Sequence, residues 1–130
     1  MIFKLYLIAL PVFVALDAVW LGLIAKNFYA KQIGWLLKST PNFYAAAVFY
    51  LLFVLGLVVF VIQPSIFKGS LWSAVGLGLL FGLITYATYD LTNFATIKNW
   101  PISVTVIDLI WGSLLGAIVS TATYLIYTRI

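Results

Sequence analysis

The chain has 130 residues, of which 65% are hydrophobic and only 8% are charged. A soluble globular domain carries about 25% charged residues, so this chain cannot cover a surface that faces water. The composition excludes a soluble enzyme and a nucleic-acid-binding module, and it indicates a protein embedded in lipid. The chain also lacks cysteine and histidine. Their absence excludes disulfides, a Ser-His-Asp triad and the usual zinc and haem ligands, so we predict no cofactor and no resident metal site.

Long apolar stretches predict an all-α integral membrane bundle of four transmembrane helices, forming a single domain over residues 1–130. Each stretch reaches the length of about 20 residues that a helix needs to cross the hydrocarbon core. Ser39 and Thr40 are candidate caps of the second span, and Pro101 is expected at the first position of the fourth. The predicted spans are about residues 2–25, 43–62, 71–97 and 101–127.

The stretch between the first two spans, Lys26 to Thr40, interleaves aromatic and aliphatic residues with Lys26, Lys31 and Lys38. This pattern is typical of an amphipathic helix that lies in the membrane interface with its lysines toward water. The alternative is a lid that covers the end of the bundle. The lysines and the single arginine are scattered among the predicted loops and termini, so they indicate contact with membrane lipids and no nucleic-acid partner. The basic residues are nearly balanced between the two faces, which leaves the orientation undecided.

The three acidic residues of the chain, Asp17, Asp90 and Asp108, all lie inside predicted spans. Asp17 is nine residues before Lys26, Asp90 is eight before Lys98, and Asp108 is ten after it. At about 1.5 Å of helix rise per residue, the three carboxyls share one depth below the same face. Each costs roughly 2.5–3.5 kcal/mol to insert at mid-membrane. They must therefore be hydrogen-bonded, protonated or paired with a bound cation.

Polar and aromatic neighbours extend these acids into a candidate ligand site. D-x-x-W units, starting at Asp17 and Asp108, place the indoles of Trp20 and Trp111 one turn from a carboxylate on the same helix. On the third span, Tyr86 and Asn93 share a helical face with Asp90. The predicted ligand-binding residues are Asp17, Trp20, Tyr86, Asp90, Asn93, Asp108 and Trp111.

Two GxxxG motifs lie in the third and fourth spans, at Gly78 and Gly82 and at Gly112 and Gly116. Glycines at this spacing let the backbones of membrane helices approach closely. The motifs are expected either to join the third span to the fourth or to form the face of a homodimer.

Three motifs resemble a bacterial family of small four-helix inner-membrane proteins that is known only as a domain of unknown function. They are D-x-x-W-L-G at residues 17–22, Y-D-L-T-N at residues 89–93 and D-x-x-W-G at residues 108–112. The resemblance extends over essentially the whole chain. It implies the fold and a location in the bacterial inner membrane, but no activity.

Three functions are compatible with this sequence. The leading hypothesis is an inner-membrane protein whose acidic and aromatic site binds or transports a proton, a metal ion, an organic cation or another small ligand. The second is an intramembrane enzyme that modifies a lipid or peptide with Asp90 and Asp108 as a catalytic pair, one protonated and one ionised. The third is a structural or accessory membrane subunit whose acids only lock the bundle together.

Overall fold

The structure, a computed structural model, describes residues 1–130, and all of its regular elements are helical. Four continuous helical segments are long and apolar enough to cross a membrane, so the predicted all-α membrane bundle is confirmed. The α-helices are α1 (Ile2–Val19), α2 (Lys26–Ile33), α3 (Phe43–Leu57), α4 (Gln63–Lys68), α5 (Leu71–Thr96) and α6 (Ile102–Arg129). Two π-helical turns, Trp20–Ile24 and Val58–Ile62, extend α1 and join α3 to α4, and a 3-10 turn, Gly34–Leu36, follows α2.

The second span is longer than predicted, because its helix continues past residue 62 to Lys68. Pro64 lies inside this continuous helix, directly after the π-helical turn, whose changed hydrogen-bond spacing accommodates the missing N–H of proline. The helix ends at Gly69, whose φ of 64° is left-handed and therefore suited to glycine.

The predicted caps of the second span, Ser39 and Thr40, are wrong. Asn42 precedes α3, and its side-chain oxygen accepts a hydrogen bond from the backbone N–H of Ala45 at 3.1 Å. This bond satisfies one of the N–H groups that lack a partner in the first helical turn. Pro101 is itself the capping residue of α6, one position before the helix begins.

The glycine motifs join α5 to α6 in a tight antiparallel hairpin. A Cβ added to Gly82 would collide with the carbonyl oxygen of Gly112, and one added to Gly116 would collide with that of Gly78. All four glycines are buried in this contact. The structure thus shows the first of their two expected uses. The other expected use, a homodimer face at these glycines, stays a prediction.

The hydrophobic core fills only the half of the bundle that lies toward α4. There, 11 buried residues from the first, second and fourth spans pack together, among them Phe13, Leu57 and Leu115. At the other end, which we call the α2 end, α1 finishes, α3 begins, α5 finishes and α6 begins. Here α3 stands apart from α5: residues 43–49 are all exposed, and the aromatic contact between the two helices starts at Phe53, which packs against Phe81. This separation leaves room for a site.

Candidate functional site

A cavity of about 810 Å³ lies between the helices at the α2 end. Its walls come from α1, α2, the linker after α2, α3, α5 and α6, and most of the lining side chains are aromatic or aliphatic. The residues that line it are Asp17, Trp20, Leu21, Lys26, Tyr29, Ile33, Leu37, Pro41, Ala46, Phe49, Tyr50, Thr85, Tyr86, Tyr89, Asp108 and Trp111. The cavity is therefore an apolar, aromatic chamber that contains two carboxyl groups.

The structure brings most of the predicted ligand-binding residues to this cavity. The five that line it are Asp17, Trp20, Tyr86, Asp108 and Trp111. Asp90 does not line the cavity, because it lies on the side of α5 that faces α6. The Thr105 hydroxyl of α6 donates a hydrogen bond to the Asp90 backbone carbonyl at 3.3 Å. Asn93 does not line the cavity either; its side chain lies beside Tyr89, which does. Two of the predicted ligand-binding residues, Asp90 and Asn93, therefore do not line the cavity.

Asp17 is held by donors from two other spans. The Tyr50 phenol of α3 donates a hydrogen bond to Oδ2 of Asp17. The Trp111 indole of α6 donates to Oδ1 at 3.3 Å. Both donors are neutral, so they satisfy the carboxyl oxygens without supplying a positive charge.

Asp108 is held by a relay that begins on α1 and passes through α2. The Trp20 indole donates to the Tyr29 hydroxyl at 3.1 Å, and the Tyr29 hydroxyl donates to Oδ1 of Asp108. Burial, followed by the neighbouring Asp108 carboxyl, raises the pKa of Tyr29 above its usual value of 10.0. The phenol therefore keeps its proton and remains a donor at neutral pH. Through Tyr29, α2 is joined to α6 and forms one wall of the cavity, and the interpretations of this segment as an interfacial helix or a lid both stay predictions.

The indoles of the two D-x-x-W units donate hydrogen bonds toward the acid of the other helix, not toward the acid of their own. Trp20 of α1 reaches Asp108 through Tyr29, whereas Trp111 of α6 reaches Asp17 directly. The two indole rings are stacked, with centroids 4.5 Å apart and planes inclined by 7°. Neither indole donates to the carboxylate one turn away on its own helix, since each N–H points to a partner outside that helix.

Asp90 and Asp108 form a carboxyl pair between α5 and α6. The Asp90 side chain is fully buried, and neither of its oxygens accepts a hydrogen bond from a donor group. Its polar neighbour is the Asp108 carboxyl, which lies within hydrogen-bonding reach. Two carboxyl groups in such contact hold together when they share a proton. The carboxyl group of Asp108 thus faces the cavity, and the carboxyl group of Asp90 lies behind it.

Sequence reasoning missed Tyr29 and Tyr50, which hold the two cavity acids. A signal for Tyr50 was present: it lies seven residues into α3, and Asp17 lies seven residues before the end of the first span at Ile24, so the two share one depth. Tyr29 had no such signal. It belongs to a segment outside the spans, so hydropathy and helix rise do not specify its position.

The comparisons with known proteins agree with the fold and add no activity. No curated protein and no solved structure matches the chain. A family model described as "Predicted membrane protein (DUF2177)" matches residues 2–125. The matched range includes all three motifs that carried the resemblance, which is therefore confirmed. The chain belongs to the DUF2177 family of predicted membrane proteins, whose function is unknown.

Proposed function

We propose that this protein binds an organic cation in the cavity at the α2 end, as a binding protein or carrier of the bacterial inner membrane. The observation that carries the proposal is the pairing of two buried carboxyls, Asp17 and Asp108, with walls of stacked and tilted aromatic rings. Carboxylates attract a positive charge, and the faces of tryptophan and tyrosine rings add cation–π attraction.

The charge balance of the cavity supports a cationic ligand. The hydrogen-bond donors to Asp17 and Asp108 are phenols and an indole, and no lysine or arginine is among them. Lys26 is the basic residue of the lining, and it is exposed. Negative charge buried without a positive partner is costly, so a bound cation would offset part of the cost of keeping the acids here.

The donor set favours an organic cation over a metal ion. Metal ions such as calcium take 6–8 oxygen ligands held close together. The acids of this chain form no group of three or more that could hold a metal ion. A cavity of about 810 Å³ with aromatic walls also has the size and polarity of a site for an organic molecule.

Binding of tetraphenylphosphonium to the purified protein tests this function. We expect wild type to bind this cation and Asp108→Asn or Asp17→Asn to bind it at least about tenfold more weakly, since loss of a buried charge partner typically costs 2–5 kcal/mol. Tetraphenylborate is the matched control, because it has nearly the same shape and the opposite charge. Equal binding of the two ions, or binding unchanged in both variants, would contradict the proposal.

An intramembrane enzyme is the second candidate, and the contact between Asp90 and Asp108 favours it. A pair of carboxyls that shares one proton supplies an acid and a base for hydrolysis. Against it, Asp90 has no exposed surface and does not line the cavity. We expect no turnover of lipopeptide or phospholipid substrates by the purified protein. Turnover that disappears in both Asp90→Asn and Asp108→Asn would replace the binding proposal with this one.

A further inference from the structure

We infer that the cation is an amphiphile, an ammonium group on a hydrocarbon chain, which reaches the cavity from the bilayer through the gap between α3 and α5. This inference rests on the proposed binding of an organic cation. It adds the class of ligand and the direction of entry.

The gap is visible in residues that line the cavity and are also exposed. Phe49 of α3 is 45% exposed, and Tyr89 of α5 is 57% exposed. Phe49 lies six residues after the start of α3 and Tyr89 seven before the end of α5. At about 1.5 Å per residue, both lie roughly 9–11 Å below the α2 end, which is deep enough to meet the acyl chains. The cavity therefore opens sideways, at the depth of its own carboxyls.

The neighbouring walls of the cavity are closed by specific contacts. The stack of Trp20 and Trp111 bridges α1 and α6. Helix α2 is held in place by the Tyr29 hydrogen bonds and by Ile33, which is buried and packs in one cluster with Trp100 and Val104. No comparable contact bridges the first turns of α3 to the end of α5, where residues 43–49 are all exposed. The wall between α3 and α5 is thus open at this depth.

The two routes into the cavity, one from the bilayer and one from water, also differ in the residues that line them. Along the gap stand Ala46, Phe49 and Tyr89, whose apolar surfaces suit a hydrocarbon chain. On the side of the aqueous face stands Lys26, whose charge repels a cation arriving from water. An ammonium that enters with its chain in the lipid passes no basic residue of the lining and ends beside Asp17 and Asp108. A single-chain amine and an aminophospholipid both provide this chemistry.

Photolabelling tests the inference in the full chain, reconstituted in phosphatidylcholine nanodiscs. The probe is a long-chain primary amine with a diazirine at the end of its tail. We expect its crosslinks on the gap residues Ala46, Phe49 and Tyr89, and at least about tenfold fewer in Asp108→Asn. Ala46→Trp, which narrows the gap, should reduce labelling by a similar factor. Val48→Trp is the matched control, since Val48 is exposed on the same helix and does not line the cavity.

Competition identifies the source of the ammonium and separates the two proposals. Loss of labelling with excess dodecylamine or with phosphatidylethanolamine supports the inference, and the more effective competitor names the source. Crosslinks confined to α2 and residues 37–41, but still dependent on Asp108, would overturn lateral entry and leave the cation site standing. Labelling that neither competitor nor Asp108→Asn reduces would overturn both proposals.

Discussion

Gly82→Ala is expected to destabilise the protein by about 3 kcal/mol or more, at the upper end of the usual cost of overpacking. The added methyl would meet the carbonyl oxygen of Gly112, which is backbone and cannot rotate away as a side chain does. Relief requires α5 and α6 to separate along the whole hairpin. The measurement is reversible unfolding in detergent micelles, followed by circular dichroism.

Gly76→Ala is the matched control, because it makes the same substitution in the same helix. A Cβ at Gly76 would meet nothing within 4 Å. Glycine inside a helix is less favourable than alanine by roughly 0.5–1 kcal/mol, so this variant should be as stable as wild type or slightly more stable. Similar effects of the two substitutions would show that the glycines reflect only the composition of membrane helices, and that close backbone contact does not hold the hairpin together.

Depth in the membrane is what the sequence predicts well in this protein. Hydropathy defines the spans, and helix rise then gives the position of each residue along the membrane normal. This was enough to bring Asp17, Asp90 and Asp108 to one level and to select Trp20 and Trp111. The structure places Asp17 and Asp108 in one cavity with both indoles.

Rotation about each helix axis is what the sequence could not provide. The rotation of a membrane helix is set by packing against its neighbours, and those contacts join residues that are far apart in the chain. Asp90 faces α6, whereas Tyr86 and Tyr89 line the cavity, although all three lie on one polar stretch of α5. The rotation of α1 and α6 likewise decides which carboxyl the indoles of Trp20 and Trp111 can reach.

The acids differ in how well the fold satisfies them, which bears on whether they serve stability or ligand binding. Asp17 accepts hydrogen bonds at both oxygens, whereas Asp90 accepts none from a donor group. If the acids only linked the helices, each would be expected to accept hydrogen bonds from donor groups, since an unsatisfied buried polar group costs roughly 1–3 kcal/mol. Asp90, whose polar neighbour is a second acid and not a donor group, is therefore better explained by its contact with the cavity acid Asp108, since natural proteins often give up stability for function.

This difference predicts opposite results for the same substitution at two buried acids. Asp17→Asn should lower the free energy of unfolding by about 1–3 kcal/mol, because the amide keeps only one acceptor oxygen, so that one of the donors Tyr50 and Trp111 then faces an amide N–H. Asp90→Asn should leave stability unchanged or raise it by about 1 kcal/mol, because the new amide can donate a hydrogen bond to Asp108, which a carboxylate at position 90 cannot do.

Both variants are isosteric changes at buried positions of the same depth, so each serves as the other's control. The measurement is the free energy of unfolding in micelles, taken beside wild type under the same conditions. If Asp90→Asn loses as much stability as Asp17→Asn, the carboxyls act together as links between helices. The accessory-subunit hypothesis would then account for all three acids, and the cavity would need no ligand to explain them. If only Asp17→Asn is destabilised, Asp90 is retained for a reason other than stability, and its contact with a cavity acid is the feature that a ligand would use.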